Sequence, residues 1–248
     1  MIRIRGLKKK LGKKQVLNGV DLDIPTGETI VVMGRSGTGK SVLFKHIIGL
    51  MTPDEGSIEV DGNHVVGLRE NEMNEVRKRF GVLFQGAALF DSMTVGENVG
   101  LPLREHTKLA DAEIRKRVAE RLEWVGLKGV EDMKPASLSG GMRKRVGLAR
   151  AIAMDPAYIL YDEPTTGLDP IMSDVINRLI RSLQQRIGVT SIVVTHDMNS
   201  AYHVADEIAM LHEGRVVFTG TPDEARSTSD PMVRQFIEGS SEGPIKPL

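Results

Sequence analysis

The sequence predicts an α/β fold with a mainly parallel sheet, and two observations support that prediction. Apolar runs typical of strands buried on both faces of a parallel sheet recur at 28–33, 80–84, 158–161 and 190–195. Between them, residues 111–125 and 170–187 place their apolar side chains on one helical face. Strands that alternate with helices in this way favour parallel β-α units.

Two regions depart from this alternation. Residues 16–24 and 57–62 have the pattern of short strands joined by turns, which predicts a small antiparallel β subdomain. Residues 87–155 are almost wholly helical in pattern, which predicts an inserted helical subdomain. We therefore expect one domain over residues 1–238, followed by a tail at 239–248 whose composition cannot build a core of its own.

Composition excludes several classes of protein. Lys plus Arg and Asp plus Glu both count 33, so the net charge is zero and nothing indicates nucleic-acid binding. The absence of cysteine excludes disulfides and thiolate metal sites. We expect no secretory signal, and the apolar stretches fall far short of the ~20 residues that a membrane span needs. Any membrane process would therefore be served through a partner.

One loop matches the phosphate-binding pattern G-x-x-x-x-G-K-S, and its members are Gly34, Arg35, Ser36, Gly37, Thr38, Gly39, Lys40 and Ser41. Glycines let consecutive N–H groups face an anion, and the following helix adds the positive end of its dipole. Lys40 is predicted to reach the β- and γ-phosphates of ATP, and the Ser41 hydroxyl to ligate Mg²⁺. A buried strand before the loop and a helix after it complete the pattern of a RecA-like P-loop NTPase core.

A second apolar strand pattern, at 158–161, ends in the carboxylates Asp162 and Glu163. Ligands bind at such strand ends in open parallel sheets. Asp162 is predicted to hold Mg²⁺ through water, and Glu163 is the candidate base that polarises the attacking water. An acidic pair alone is more often a loop cap, and the phosphate loop ~120 residues earlier favours the catalytic interpretation.

Further motifs follow in a fixed order, and with them residues 1–238 resemble the ATPases of ABC transporters. The segment 138–142 is similar to the family's signature loop, Gln85 to its Q-loop glutamine, 166–169 to its D-loop and His196 to its switch histidine. The resemblance implies the ABC ATPase fold and a dimer that holds ATP between two copies. It implies catalytic roles for Glu163 and His196, with ATP bound in cis by the loop, Gln85 and Asp162. The implied Mg²⁺ ligands are Ser41, Gln85 and Asp162, and the implied contacts in trans come from Ser139, Gly140, Gly141 and Asp169.

Two positions depart from the family pattern. Met142 stands where the signature loop usually has Gln, and Leu11, in the lysine run 8–14, stands where an aromatic usually stacks on adenine. We expect function to survive the first change, because Ser139 and the two glycines carry the phosphate contacts. The second change removes the stacking. A solvated lysine face is favoured over a lysine laid on the base.

A finer resemblance is to the MlaF-type ATPases of phospholipid transport, carried by 33–41, 84–90, 98–107 and 230–239. It implies ATP-driven lipid transport between the inner and outer membranes of a Gram-negative envelope, at the cytoplasmic face of the inner membrane. The implied partners are a MlaE-type permease, a MlaB-type regulatory subunit and a MlaD-type periplasmic MCE-domain protein. The alternatives are the ATPase of another ABC importer or exporter, a non-transport ABC ATPase and a P-loop regulator without hydrolysis.

Two surfaces carry further expectations. The segment 85–98 is unusually apolar, so we expect it to line a groove for a permease helix; the alternative is that Leu89 and Phe90 are core. Residues 231–238 predict a short amphipathic helix. Residues 240–248, with Ile245 and Leu248 as apolar anchors, are predicted to pack on the second subunit as a tether, against the alternative of a frayed terminus.

Overall fold

The computed structural model describes residues 1–246, which form two compact units. The first unit contains residues 1–68 and the chain from 192 onward, and the second contains residues 69–191. The anchor predicted at Leu248 lies outside the described residues.

The strands are β1 (Ile2–Leu11), β2 (Lys14–Ile24), β3 (Thr29–Met33), β4 (Glu55–Val60), β5 (Asn63–His64), β6 (Phe80–Leu83), β7 (Tyr158–Asp162), β8 (Thr190–Thr195), β9 (Glu207–His212) and β10 (Arg215–Gly220). The helices are α1 (Lys40–Ile47), α2 (Glu70–Arg77), α3 (Val95–His106), α4 (Asp111–Trp124), α5 (Gly140–Ala151), α6 (Pro170–Ile187), α7 (Met198–Val204), α8 (Pro222–Ser227) and α9 (Pro231–Glu238). A 3-10 turn at Pro135–Ser137 precedes α5.

The first unit contains the predicted small antiparallel sheet, with strand order β2-β1-β4-β5. It also contains β10-β9-β3-β8, in which β3 lies parallel to β9 with Val31 opposite Ile208. Every residue of β3 is buried, as the continuous apolar run predicted. This arrangement confirms the α/β class and the antiparallel subdomain.

The second unit pairs β6 and β7 in parallel, with Leu83 opposite Tyr161. Helices α3, α4 and α5 pack on one another, and α4 buries Ile114, Val118 and Leu122 on one face, as its spacing predicted. The end of α5 approaches β6 so closely that a Cβ on Gly81 would lie 2.2 Å from the Ala151 carbonyl oxygen. The domain boundaries drawn from sequence at 87, 155 and 238 stay predictions.

Residues 230–246 belong to the first unit. Helix α9 begins with the cap residue Asp230, whose carboxylate accepts from the Met232 and Val233 amides, and it is followed by Gly239 in a left-handed conformation. Beyond it, Ile245 is buried against its own chain. Residues 1–246 contain no helix with the length and hydropathy of a membrane span.

Candidate functional site

The phosphate-binding loop joins β3 to α1 in the first unit. Gly34 leaves β3 with φ 152°, and a Cβ there would lie 2.3 Å from the Leu211 carbonyl oxygen, so only glycine allows this close approach. The first turn of α1 contains no acidic residue. The positive end of its dipole therefore faces the loop without a competing side-chain anion.

Lys40 is held inside this loop. Its side chain is buried, and its Nζ donates to the carbonyl oxygens of Gly34 at 2.7 Å and Arg35 at 2.9 Å. The Thr38 hydroxyl donates to the same Arg35 carbonyl at 2.9 Å. The loop thus positions one cation where the sequence predicted a phosphate contact, while Ser41, next in the chain, is exposed.

His196 comes directly after β8, as Gly34 of the phosphate-binding loop comes directly after β3. β8 and β3 are adjacent in the sheet, and His196 and Gly34 each follow the last residue of their strand. Asp197, directly after His196, caps α7 by accepting from the Asn199 amide at 3.0 Å and the Ser200 hydroxyl at 2.6 Å. The capped helix therefore fixes the chain direction after the histidine.

The acidic pair lies in the second unit. Asp162 is the last residue of β7, and Glu163 has a left-handed backbone with φ 49°. Such a conformation costs a non-glycine residue about 1–3 kcal/mol and persists where its surroundings enforce it. Its carboxylate accepts from the Thr166 hydroxyl at 3.1 Å, and its carbonyl accepts from the Nζ of Lys144 at 3.1 Å.

Lys144, which was not among the candidates from sequence, contacts two of the predicted site residues. Its buried ammonium also donates to the carbonyl of Gln85, so it joins the backbones of Gln85 and Glu163. Burial lowers the pKa of Lys144, although the nearby carboxylates of Asp162 and Glu163 raise it. The available signal was the spacing 141, 144, 148, 151 in α5, which places this lysine on the buried face.

The signature loop forms the start of α5. The Ser139 hydroxyl caps this helix by accepting from the Met142 amide at 3.2 Å, and its own proton remains available to an acceptor. Gly140 and Gly141 form a first turn that contains no acidic residue. The backbone at Met142 keeps the helical geometry, so this departure leaves the cap intact.

Asp169 has a structural role within its own chain. Its Oδ1 accepts from the amides of Ile171 at 2.9 Å and Met172 at 3.0 Å, and so caps α6. The second unit therefore contains Gln85, Asp162, Glu163, the signature loop and Asp169, and the first contains the phosphate loop and His196.

The region predicted to receive adenine contains no aromatic side chain. Leu11, at the end of β1, is 42% exposed. Two lysines of the run are paired with carboxylates, Lys8 with Glu55 at 2.7 Å and Lys9 with Asp54 at 2.8 Å. A hydrogen bond from the Lys9 ammonium is the main cause that holds the pKa of the Asp54 carboxyl below its ordinary value, and a hydrogen bond from the Lys10 amide adds to it.

The predicted Mg²⁺ ligands are oxygen donors of the kind that this ion prefers, namely a hydroxyl, an amide oxygen and a carboxylate. Among residues 1–246 there is no group of three or more His, Cys, Asp or Glu that could hold a metal. A site with one protein carboxylate fits an ion that keeps waters and shares the phosphates of its nucleotide. The side chains of Ser41, Gln85 and Asp162 are therefore chemically suited to Mg²⁺.

A loop between a buried strand and a helix, together with a capped signature loop, defines an ATP-binding cassette. Residues 17–166 match the ABC transporter family. The chain is 46% identical to a probable ribonucleotide transport ATP-binding protein of Mycobacterium leprae, over 98% of this chain and 70% of the relative. It is 41% identical to the intermembrane phospholipid transport system ATP-binding protein MlaF of Haemophilus influenzae, over 99% of this chain and 93% of the relative.

Among solved structures, a dimeric ATP-binding cassette bound to ADP and Pi in a post-hydrolysis state superposes with a TM-score of 0.83. It is 35% identical, and the match covers 90% of this chain and 99% of that one. The protein belongs to the ABC transporter family and is an ATPase of that family. The family resemblance and fold predicted from sequence are thereby confirmed, while the roles of individual side chains stay predictions.

Proposed function

We propose that this ATPase powers phospholipid transport between membranes of a Gram-negative envelope. The observation that carries the proposal is the match to the Haemophilus influenzae phospholipid transport subunit, which spans 99% of this chain and 93% of that relative, whereas the match to the Mycobacterium leprae protein spans 70% of that relative. The first match therefore extends through α8 and α9, beyond the 17–166 region shared by the whole family. Ribonucleotide transport is the second candidate, favoured by the 46% identity to the Mycobacterium leprae protein.

In the proposed reaction Lys40 holds the β- and γ-phosphates, Glu163 polarises the attacking water, and His196 contacts the γ-phosphate. Mg²⁺, held by Ser41, Gln85 and Asp162, would neutralise charge on the phosphates. Ser139, Gly140, Gly141 and Asp169 would complete the site of a second copy. The capped start of α5 supports this last role, because its free amides and the Ser139 proton are suited to an anion.

The coupling surface that we propose is a cavity of about 820 Å³ in the second unit. Its apolar lining includes Phe84, Phe90, Leu101 and Pro102. Its charged lining includes Arg77, Lys78, Arg150 and one carboxylate, Glu75, so cations outnumber carboxylates there even though Lys78 pairs with Glu75 at 2.7 Å and Arg77 with Glu70. An amphipathic permease helix with acidic residues on its polar side fits this combination.

The backbone around this cavity is held in place by two buried or half-buried side chains. Asn98 accepts from the Phe90 amide at 2.8 Å and donates to the Phe90 carbonyl at 3.1 Å, so the Phe90 ring is presented half exposed. The Arg150 guanidinium donates to the carbonyls of Ala87 and Ala88, both of which have left-handed φ. Leu89, expected from sequence to line the groove, is half-buried and lies outside the lining.

The proposed assembly contains two copies of this chain at the cytoplasmic face of the inner membrane. Its other proposed members are a MlaE-type permease, a MlaB-type subunit and a MlaD-type MCE-domain protein. The test is purification of the native complex with its permease, followed by extraction and mass spectrometry of the bound molecules. Phospholipid at about one or more per complex supports the proposal, and ribonucleotide other than ATP or ADP supports the second candidate. The Glu163→Gln complex provides the matched control, because stalled turnover should retain the cargo.

A further inference from the structure

The chain end is attached to α9 through one side chain. Gln235, buried on α9, accepts from the Ile245 amide at 2.7 Å through Oε1 and donates to the Ile245 carbonyl at 2.9 Å through Nε2. The backbone N–H and C=O of Ile245 are thus both satisfied by the side-chain amide of Gln235, in the way that the backbone of a neighbouring strand would satisfy them. The Ile245 side chain is 6% exposed. Residues 243–246, here named the docked segment, are therefore held by a specific contact.

The docked segment reaches the phosphate-binding loop of the same chain. The Lys246 carbonyl accepts from the Nη1 of Arg35 at 2.7 Å. The carbonyl of Arg35 in turn accepts from Lys40 and Thr38. Arg35 therefore contacts the docked segment through its side chain and contacts Lys40 through its backbone carbonyl.

The docked segment also forms part of a cavity of about 580 Å³ beside the loop. Its lining includes Pro244 and Lys246 from the docked segment and Ser36, Gly37 and Thr38 from the loop. A ligand that enters beside these loop residues meets the chain end as one wall. If the docked segment moves away, the cavity loses that wall and the loop residues become more accessible.

Arg35 would have a stronger acceptor when nucleotide is bound. The Lys246 carbonyl is neutral, whereas phosphate oxygens are anionic and can accept two parallel hydrogen bonds from one guanidinium, so an ion pair with phosphate is the stronger contact. The contact between Arg35 and Lys246 is exposed, so it can open without the loss of buried core. Phosphates near the loop would consequently draw the Arg35 guanidinium away from the chain end.

We propose that Gln235 is a positioning residue that, through the docked segment, holds Arg35 away from the nucleotide and so weakens ATP binding until the segment is released. The inference rests on the proposed function only in that the loop binds ATP. Because linkage is reciprocal, ATP must weaken docking by the same factor by which docking weakens ATP binding. The released residues then become available to a second copy, which joins this inference to the tether predicted from sequence.

The experiment compares the full chain with a truncation after Glu242 and with Gln235→Ala. Lys246→Ala is the matched control, because it keeps the backbone carbonyl that Arg35 uses. The affinity for ATP without Mg²⁺ is measured by calorimetry, at concentrations where sedimentation shows a monomer. We expect ATP to bind about three- to tenfold tighter to the truncation and to Gln235→Ala, the scale of the net contribution of one ordinary hydrogen bond, and within about twofold of the parent for Lys246→Ala.

Hydrogen exchange at the Ile245 amide measures docking directly, because that amide donates to Gln235. We expect it to be protected in the nucleotide-free chain, exposed in Gln235→Ala, and faster by the same factor of about three to ten when ATP is added. Equal or weaker ATP affinity after truncation, or Ile245 exchange that ATP leaves unchanged, overturns the inference. A chain that binds no ATP in any variant overturns the proposed function instead, so the two failures are distinguishable.

Discussion

The Nζ of Lys144 donates to the Glu163 carbonyl at 3.1 Å and fixes the residue that is the candidate catalytic base. The same ammonium donates to the Gln85 carbonyl, which lies 59 positions away in the chain. Glu163 sits in a left-handed conformation that needs such support. The lysine therefore acts on the backbone that positions the base.

Lys144→Met should lower kcat about tenfold or more with a smaller effect on ATP affinity, because Lys40 keeps its own contacts with the carbonyls of Gly34 and Arg35. Steady-state kinetics and calorimetry separate the two effects. Lys116→Met, at an exposed position of α4, is the control. A variant with parental kcat at the parental melting temperature would show that Lys144 is only a packing residue.

Glu163→Gln should bind ATP but lose turnover by a factor on the order of 10² to 10⁴, the range of general-base catalysis. The amide oxygen can still accept from the Thr166 hydroxyl, so the geometry is kept while basicity is lost. Single-turnover assays and sedimentation should find an ATP-bound dimer. Hydrolysis at the parental rate would exclude Glu163 as the base.

Lys40→Ala should behave differently, because it removes the cation at the centre of the loop. We expect weaker ATP binding together with lost turnover, rather than lost turnover alone. The Gly34 and Arg35 carbonyls that now accept from Lys40 would also lose that donor. Calorimetry with ATP distinguishes this variant from Glu163→Gln, and parental affinity would contradict the role assigned to Lys40.

Ser139→Arg should leave ATP binding by a single chain intact and abolish ATP-dependent dimerisation and hydrolysis. The substitution removes the α5 cap, which costs about 1 kcal/mol, and places a bulky cation where the partner's phosphate is expected. Ser139→Asn keeps a capping side chain and serves as the control for folding. Parental turnover by Ser139→Arg, or by a strictly monomeric wild-type preparation, would refute completion of the site in trans.

Phe90→Glu should uncouple lipid transport from ATP hydrolysis, because a charge would enter the apolar part of the proposed permease cavity. Leu89→Glu should have the smaller effect on coupling, since Leu89 lies outside the lining. Transport and ATPase rates of the variant complexes, reconstituted in membranes, are compared with those of the parent complex. The ATPase rate of each isolated chain shows whether the substitution affects hydrolysis itself. Normal transport by a well-assembled Phe90→Glu complex would exclude this surface.

The strands and helices could be predicted because their patterns are local. The run at 190–195 became β8 and the face at 170–187 became α6, although Val175 and Leu179 are only half-buried there. The phosphate loop was readable for the same reason, since its residues are consecutive. Such features depend on periodicity and spacing alone.

Contacts between distant residues could not be predicted. Nothing in α5 indicates that Lys144 would find carbonyls 59 and 19 positions away. The packing of the tail on a second subunit stays a prediction, and the hydrogen bonds between Gln235 of α9 and Ile245 were not foreseen, because composition does not reveal that Gln235 offers both a donor and an acceptor. The coupling cavity likewise combines residues from 71 to 154 that no single motif spans.

Helix α5 connects the signature loop to the wall of the proposed coupling cavity. Its first turn is the signature loop, its last residue, Ala151, abuts Gly81 on β6, and Arg150 grips the strained carbonyls beside the coupling cavity. Twelve helical residues make a rod about 18 Å long, and such a rod resists compression along its axis. The signature loop and the cavity wall are thus the two ends of one helix, and a shift of α5 along its axis would displace both.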